Sequence, residues 1–222
     1  MLFDVDANIE DKEITILVGP NGSGKSTLLK SIMGITQVYS GKILFGGNDI
    51  VRLPPHVVTR LRIAYLPQVS NVFANLMVKE NLLMAGYVLG KDEASRRSQE
   101  VLEDFPVLKD YLDRKAGTLS GGERQMLAMA MAMMRRPQIM LFDEPTASLA
   151  PKIALEVLNK IVGLRDNYGI TVMLAEQNAR RALEHGDKAL LLVSGRVMYS
   201  GDSKELLSHR DLGKVYLGIK TD

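Results

Sequence analysis

An apolar run and a glycine-rich turn stand side by side near the start of the chain, in Ile14-Thr-Ile-Leu-Val18-Gly19-Pro-Asn-Gly-Ser-Gly24-Lys25-Ser26-Thr27. Apolar residues at helical spacing follow in Leu28–Met33. Strand, turn and helix in this order form the setting in which the pattern GxxxxGK[ST] binds phosphate. The glycines let backbone N–H groups converge on an anion, and the positive end of the helix strengthens their field. A turn that only precedes a core helix is the weaker alternative, so the sequence predicts a nucleotide site.

The residues of this phosphate loop have predicted roles. Lys25 can reach the β- and γ-phosphates as a point charge, and the Ser26 hydroxyl is placed to ligate Mg²⁺. Thr27 and the loop backbone would hold the inner phosphates. The predicted phosphate-binding residues are Gly19, Pro20, Asn21, Gly22, Ser23, Gly24, Lys25, Ser26 and Thr27.

Apolar runs of β type recur along the rest of the chain. They are Ile63–Leu66, Ile139–Phe142, Ile170–Leu174 and Ala189–Val193. Helical patterns lie between several of them, and continuous apolar runs separated by helices are typical of parallel strands buried on both faces. The sequence therefore predicts an α/β fold of the doubly wound kind. The stretch Lys42–Asp49 reads as a strand that ends in a turn, which indicates a small antiparallel β element beside the first helix.

The stretch from about Lys79 to Tyr111 is helical in pattern throughout, with Pro106 as its only breaker. We read it as an inserted helical subdomain. Helices that merely cover the sheet are an equally good interpretation of the pattern alone. The arginine pair Arg96-Arg97 is expected on a solvated face.

Composition narrows the classes of function. The 222 residues include 28 Lys and Arg against 26 Asp and Glu, and a net charge of +2 gives little drive for binding nucleic acid. The absence of cysteine excludes disulfides and thiolate chemistry, and three histidines far apart in sequence argue against a zinc site. The longest apolar run, Met126–Met134, is far shorter than the roughly 20 residues of a membrane-spanning helix. With no secretory signal visible, we expect a cytoplasmic location.

Two acids, Asp143 and Glu144, directly follow the apolar run Ile139–Phe142. Successive residues at a strand end point in different directions, so Asp143 can face a Mg²⁺ shell while Glu144 reaches toward an attacking water. Such a pair on its own is more often a solvated turn. Beside a phosphate loop the functional interpretation is favoured, and we expect Asp143 to bind the metal and Glu144 to activate water.

A further motif lies between these two, in Leu119-Ser120-Gly121-Gly122-Glu123-Arg124-Gln125. Ser120 and Glu123 have the S-x-x-E spacing of a capping box, which predicts a helix that begins here. With the phosphate loop before it and the Asp-Glu strand end after it, this heptapeptide resembles the signature of the ATP-binding-cassette (ABC) ATPases. The resemblance covers nearly the whole chain.

This resemblance implies a fold, cofactors and a dimer. The family has a RecA-like core of the P-loop NTPase type, here about residues 1–70 and 119–222, and a helical subdomain, here about 71–118. It hydrolyses ATP with Mg²⁺, and two cassettes pack head to tail so that the signature of one closes on the γ-phosphate held by the other. By this resemblance the residues that touch nucleotide across the dimer are Ser120, Gly121, Gly122 and Glu123.

Gln68, at the end of Ala64-Tyr65-Leu66-Pro67-Gln68, matches the family's glutamine loop. In the family this loop joins Mg²⁺ to the helical subdomain and to the membrane partner. The resemblance therefore adds Gln68 to Ser26 and Asp143 as a residue that faces the metal. Taken singly, Gln68 reads as an ordinary loop residue.

Two positions depart from the usual family pattern. Most cassettes carry a histidine after the strand that corresponds to Ile170–Ala175, where it hydrogen-bonds the γ-phosphate. This chain has Gln177 there, which can donate an N–H but cannot carry a positive charge. Ala150 stands where an aspartate is common. Both departures, together with Val215–Gly218 near the end, resemble one subgroup, the second ATP-binding subunit of branched-chain amino acid importers.

That subgroup implies partners and a location. It pairs with a different cassette and two permease subunits, which favours a heterodimer over a homodimer at the cytoplasmic face of the membrane. The full system also uses an extracytoplasmic solute-binding protein. The alternatives are an ABC ATPase of another transport system, a soluble cassette of another class and a regulatory nucleotide binder that hydrolyses ATP poorly.

The start of the chain is a third departure. The family's adenine-stacking aromatic residue and its first strand are missing before Leu2. We expect the natural reading frame to begin farther upstream; the alternative is that another apolar side chain covers the base.

Overall fold

This computed structural model describes residues 1–209, which form eight strands and eight α-helices joined by loops and short 3₁₀ turns. The strands are β1 (Ile14–Val18), β2 (Leu44–Phe45), β3 (Asn48–Asp49), β4 (Ile63–Leu66), β5 (Ile139–Asp143), β6 (Thr171–Ala175), β7 (Lys188–Val193) and β8 (Arg196–Asp202). The helices are α1 (Lys25–Ile32), α2 (Pro55–Val58), α3 (Val78–Ala85), α4 (Lys91–Asp104), α5 (Gly121–Met133), α6 (Pro151–Tyr168), α7 (Ala179–Leu183) and α8 (Ser203–Ser208). Within these residues no helix is both long and apolar enough to cross a membrane. Val215–Gly218 lies outside the described residues.

Six strands form one central sheet in the order β4-β5-β6-β1-β7-β8. The neighbouring strands from β4 to β7 are parallel, and β8 runs antiparallel to β7. All five predicted apolar runs are strands of this sheet, with bounds within one residue of the prediction. β1, β5 and β6 are buried along their whole length, which explains why their sequences are continuously apolar. The predicted fold class is confirmed.

The two faces of the sheet are covered by different helices. Neighbouring residues of a strand point to opposite faces, so Ile16 packs in the cluster that holds residues of α5, α6 and α7. Leu17 packs in the second cluster, with Leu29 of α1 and Val58 of α2. α1 and α2 therefore pack on one face of the sheet, opposite α5, α6 and α7. Along the chain, α1 follows β1 and the phosphate loop.

Strand order brings three strand ends together. β1 lies between β6 and β7, and β5 lies on the other side of β6. Leu17 of β1 and Asp143 of β5 both pair with Ala175 of β6, so the carboxyl ends of these strands are adjacent. Open α/β sheets bind ligands at such carboxyl ends. The phosphate loop and the two acids consequently meet at one edge of the sheet.

A separate two-stranded sheet pairs β2 with β3 antiparallel, as predicted for Lys42–Asp49. Leu44 lies opposite Asp49 and Phe45 opposite Asn48, with two glycines between the strands. This hairpin stands outside the central sheet and carries none of the predicted site residues.

The expectation that Pro106 is the only break in the helical region is wrong, because α3 and α4 are separated by Gly86, a 3₁₀ turn over Tyr87–Leu89 and Gly90. Pro106, the predicted breaker, begins another 3₁₀ turn just after α4. The two ends of the region meet, because Met77 forms an isolated β-bridge with Lys115. The chain thus enters and leaves this helical region at neighbouring positions. The limits of the helical subdomain at about residues 71 and 118 stay a prediction.

The expectation that Arg97 lies on a solvated face is wrong. Only 7% of this residue is exposed, and its guanidinium donates hydrogen bonds to the carbonyl oxygens of Met133 at 2.7 Å and Met134 at 3.4 Å. It also pairs with Glu100. The last carbonyls of a helix lack partners and attract a cation, so Arg97 joins α4 to the end of α5. Arg96 is exposed, as expected.

Candidate nucleotide site

The phosphate loop connects β1 to α1 in a tight backbone turn. Gly19 has φ 150°, and a Cβ at this position would lie 2.0 Å from the carbonyl oxygen of Leu192. α1 begins at Lys25 without a side-chain cap or an acid in its first turn, so its first N–H groups remain available to an anion. Thr27 lies in that first turn. The exposed residues of the loop are Pro20, Asn21 and Gly22.

Lys25 is buried inside this loop, with 5% of the residue exposed. Its Nζ donates hydrogen bonds to the carbonyl oxygens of Gly19 at 2.9 Å and Pro20 at 3.3 Å, and lies 3.8 Å from Glu144 Oε1. Nearby, the Ser23 hydroxyl oxygen is buried without a hydrogen-bond partner. A charged ammonium and an unpaired hydroxyl in one loop fit a polyanionic ligand, because buried polar groups are normally paired.

Asp143 ends β5 and is held by two hydroxyl groups. The residue is 4% exposed; its Oδ1 accepts a hydrogen bond from Ser26 Oγ at 2.7 Å, and its Oδ2 accepts one from Tyr65 Oη at 3.0 Å. The structure thus brings together Ser26 and Asp143, two of the three residues predicted to face Mg²⁺. Burial first, and then the charge of Asp143, raise the pKa of Tyr65 above its ordinary value, so the phenol stays a donor at neutral pH.

The sequence prediction does not include Tyr65. The signal that identifies it is the pairing of β4 with β5, in which Tyr65 lies opposite Leu141. Asp143 is two residues farther along β5 and therefore on the same face of the sheet. A long side chain on that face can reach the strand end, but the sequence alone does not say which strand lies beside β5.

Glu144 adopts a backbone conformation that side chains rarely take, with φ 50°. Its N–H donates to the carbonyl oxygen of Ala175 at 2.9 Å, which fastens this turn to the end of β6. Its Oε2 accepts a hydrogen bond from Gln68 Nε2 at 3.2 Å, while its Oε1 faces Lys25. Gln68 thus contacts the acid that is predicted to activate water. Left-handed backbone such as that of Glu144 is concentrated at functional sites.

Gln177 lies in the loop after β6 and contacts the phosphate loop. Its Nε2 donates a hydrogen bond to Asn21 Oδ1 at 3.1 Å. The preceding residue, Glu176, is not among the predicted site residues, yet it is 3% exposed and accepts N–H bonds from Thr146 at 3.0 Å and Gln177 at 3.3 Å. Burial raises the pKa of Glu176; the hydrogen bonds oppose this shift, and the charge of Glu144 adds to it. Glu176 thus ties the two loops that carry Glu144 and Gln177.

The helix start predicted at Ser120 is confirmed, because α5 begins at Gly121 with a complete capping box. Ser120 Oγ accepts from Glu123 N–H at 3.3 Å, and Glu123 Oε2 accepts from Ser120 N–H at 2.7 Å, which lowers the pKa of Glu123. Gly122 is buried, and a Cβ there would lie 2.4 Å from Ile153 Cγ2. Across residues 1–209, no hydrogen bond or ion pair joins this helix start to the phosphate loop.

The donor set fits Mg²⁺ and a triphosphate. The Ser26 hydroxyl and the Asp143 carboxylate are the hard oxygen donors that Mg²⁺ prefers, and Mg²⁺ in nucleotide sites is usually held by one or two carboxylates together with phosphates. Among the described residues, no group of three or more His, Asp or Glu side chains is arranged to hold a metal by itself. Ser26 and Asp143 would supply part of a coordination shell, with phosphate oxygens as further ligands.

Comparison with curated proteins finds relatives along nearly the whole chain. A family profile described as "ABC transporter" matches residues 2–147. The "Probable branched-chain amino acid transport ATP-binding protein LivF" of Archaeoglobus fulgidus is 54% identical over 99% of this chain and 93% of that protein. The "High-affinity branched-chain amino acid transport ATP-binding protein BraG" of Pseudomonas aeruginosa is 42% identical over 98% and 93%. The "Lipopolysaccharide export system ATP-binding protein LptB" of Escherichia coli is 33% identical over 97% and 90%.

Solved structures share the fold. A structure of MJ1267, described as an ATP-binding cassette of an ABC transporter, has a TM-score of 0.87 at 27% identity and covers 99% of this chain and 92% of its own. The cassette cbiO1 from Clostridium perfringens has a TM-score of 0.85 at 26% identity, over 96% and 86% of the two chains. Since relatives match nearly the full length and the same fold recurs in these cassettes, the chain belongs to the ATP-binding subunits of the ABC transporter family.

Proposed function

We propose that this chain is the ATP-hydrolysing subunit of an importer of branched-chain amino acids, bound to the cytoplasmic face of the membrane. The observation that carries the proposal is the meeting of Lys25, Ser26, Asp143 and Glu144 at the carboxyl ends of β1 and β5. Phosphoryl transfer to water requires a cation for the phosphates, oxygen donors for Mg²⁺ and a group that orients water. The relatives named for branched-chain amino acid transport support the solute class.

In this proposal Lys25 and the free N–H groups of the loop bind the triphosphate. The 3.8 Å separation between Lys25 Nζ and Glu144 Oε1 is longer than a charge-assisted hydrogen bond, so the ammonium is not committed to that acid. Ser26, Asp143 and the amide oxygen of Gln68 hold Mg²⁺, which when bound supplies charge stabilisation at the phosphates. Glu144, held by Gln68 and by its own turn, orients the attacking water.

The signature residues Ser120, Gly121, Gly122 and Glu123 serve the nucleotide of a second cassette. The absence of hydrogen bonds and ion pairs between this helix start and the phosphate loop within residues 1–209 supports this assignment. One of the similar structures is described as the dimeric bacterial cassette MJ0796, with a TM-score of 0.79 at 25% identity over 91% of this chain and 90% of its own. We favour a different cassette as the partner, together with two permease subunits and a solute-binding protein.

The permease contact lies at the junction between the core and the region proposed as the helical subdomain, residues 71–118. A groove of about 230 Å³ runs there between β4, α3 and α5, and Tyr65, Leu66 and Pro67 line it directly before Gln68. A partner bound in this groove would contact β4 and Pro67, which directly precede Gln68. Gln68 in turn contacts Glu144.

Reconstitution tests the proposed function. The chain, its companion cassette and the two permeases are assembled in liposomes, and ATP hydrolysis is measured with solute-binding protein loaded with leucine, with an unrelated amino acid, or empty. We expect leucine-loaded binding protein to stimulate hydrolysis and to drive leucine uptake. If no branched-chain amino acid changes the rate of ATP hydrolysis, the proposed solute class is rejected. If the complex hydrolyses no ATP, the proposed ATPase activity is rejected.

A second candidate is a regulatory nucleotide binder with little turnover of its own. It is favoured by Gln177, whose side chain contacts Asn21 and cannot carry a positive charge toward a phosphate. ATP hydrolysis measured with and without the companion cassette separates the two candidates. A regulatory binder would add no hydrolysis to that of the companion cassette, even though its own Glu144 is intact.

A further inference from the structure

We propose that Tyr65 is a positioning residue for the metal-binding carboxylate: its phenol O–H holds Oδ2 of Asp143, so that Oδ1 stays directed at Ser26 Oγ. Through this contact Tyr65 sets the affinity of the site for Mg²⁺ in the Mg-ATP complex. The inference rests on the proposed function, in which Ser26 and Asp143 bind that metal.

The geometry follows from the pairing of two parallel strands. Tyr65 stands in the middle of β4, opposite Leu141 of β5, and reaches forward along the same face to Asp143 at a distance of 3.0 Å. From the other side, Ser26 in the first turn of α1 contacts the second carboxylate oxygen at 2.7 Å. One oxygen is thus tied to the sheet and the other faces the loop that receives the nucleotide.

The contact matters because the terminal torsion of an aspartate is broad and only weakly fixed by its own preferences. Asp143 is 4% exposed, so water cannot replace a lost partner as it does at a surface. Without the Tyr65 hydroxyl, Oδ2 of this buried carboxylate would lack its hydrogen bond. Nothing would then hold the carboxylate in the orientation in which Oδ1 faces Ser26 Oγ. Outer partners that orient a ligating carboxylate commonly tune metal affinity in this way.

The same segment of chain holds both acids, but by contacts of different kinds. Tyr65 lies within a strand and is part-buried, whereas Gln68 lies three residues later in an exposed loop and contacts Glu144. The Tyr65 contact comes from a residue that the sheet holds in place, whereas the Gln68 contact comes from an exposed loop. Tyr65 therefore positions the metal-facing acid independently of the Gln68 loop. The competing interpretation is that Tyr65 only braces β4 against β5.

The substitution Tyr65→Phe tests the inference, because Phe fills the same space and removes only the hydroxyl. ATP affinity is measured by calorimetry in EDTA and at graded concentrations of free Mg²⁺, and folding is checked by urea unfolding. We expect ATP affinity in EDTA to stay at the wild-type value. The Mg²⁺ concentration that gives half of the metal-dependent gain in affinity should rise about 10-fold, the size usual for loss of an outer-shell partner.

Tyr199→Phe is the matched control. The Tyr199 hydroxyl bonds to the carbonyl oxygen of Asp202 and to Glu205. Asp202 lies opposite Lys188 at the amino end of β7, whereas the phosphate loop follows the carboxyl end of β1. The Mg²⁺ dependence of Tyr199→Phe should equal that of wild type.

Three outcomes would count against the inference. If Tyr65→Phe shows the Mg²⁺ dependence of wild type, or loses metal-free ATP affinity to the same degree, Tyr65 has no specific role toward the metal. If wild type itself binds ATP equally well with and without Mg²⁺, the metal site fails and the proposed function fails with it. If the wild type binds ATP more tightly with Mg²⁺ and Tyr65→Phe shows the same Mg²⁺ dependence, only the inference about Tyr65 is overturned and the proposed function stands.

Discussion

Two helix starts in this molecule carry residues that the sequence predicts to contact nucleotide, and they differ in what surrounds them. At the start of α1, Ser26 bonds to the buried Asp143, and the buried Lys25 lies 3.8 Å from Glu144. The start of α5 closes its own capping box at Ser120 and has no hydrogen bond or ion pair to the phosphate loop within residues 1–209. The start of α1 therefore lies among other predicted site residues, and the start of α5 lies apart from them. This contrast agrees with the proposal that one chain contributes to two nucleotides.

The largest effect is expected at the first helix start, from Glu144→Gln. This change keeps the shape of the side chain and its contact with Gln68, but it removes the base that orients water. We expect turnover in the assembled complex to fall about 10²- to 10⁴-fold, the usual range for a general base, with ATP binding retained. Phosphate release and calorimetric binding measure the two quantities.

Glu184→Gln is the control for that prediction, because Glu184 forms an exposed ion pair with Arg180 on α7. Turnover of Glu144→Gln equal to that of this control would remove Glu144 from the mechanism.

The second helix start is tested by Ser120→Ala. Loss of a hydrogen bond to a charged group costs about 1.5–3 kcal/mol, so turnover of the assembled pair should fall about 10-fold or more. ATP affinity of the isolated chain should not change, because its own phosphate loop does not contact Ser120. Ser208→Ala, at an exposed serine whose hydroxyl donates to the carbonyl oxygen of Glu205, is the control. A parallel loss of ATP affinity in the isolated chain would contradict the division into two half-sites.

A smaller effect is expected at Gln177, which joins the loop after β6 to the phosphate loop. Its contact with Asn21 joins two neutral, exposed groups, and such a bond contributes about 0.5–1.5 kcal/mol. Gln177→Ala should therefore lower turnover by less than about 10-fold, which steady-state phosphate release will show. A loss as large as that of Glu144→Gln would make Gln177 part of the chemistry.

The smallest effect is a pH dependence of stability that arises from Glu176. Burial raises its pKa above the ordinary value of 4.5, so the folded state holds a proton that the unfolded state releases. The resulting stability is present below pH 4.5 and is lost as pH rises through the raised pKa. Glu176→Gln does not titrate. The free energy of unfolding of wild type minus that of the variant should fall with rising pH in a urea series, and a constant difference would contradict the buried carboxylate.

The nucleotide site and the elements around it show which features could be predicted from the sequence. The strand ends and the capping box were predictable, because a continuously apolar strand and an S-x-x-E spacing are local patterns with local consequences. Tyr65, Glu176 and Arg97 were not, because each acts on a residue that the sheet order or helix packing brings near. Arg97 and Arg96 are adjacent and alike in sequence, yet one caps the end of α5 and the other faces solvent.

The mass of the Glu144→Gln chain in solution tests the two-site account most directly. Light scattering is recorded in Mg-ATP and in EDTA, for the chain alone and mixed with its companion cassette. The account predicts a pair of cassettes only in Mg-ATP, and none once Ser120→Arg is added to the same chain. Tight binding of Mg-ATP without any pair, alone or in the mixture, would contradict it.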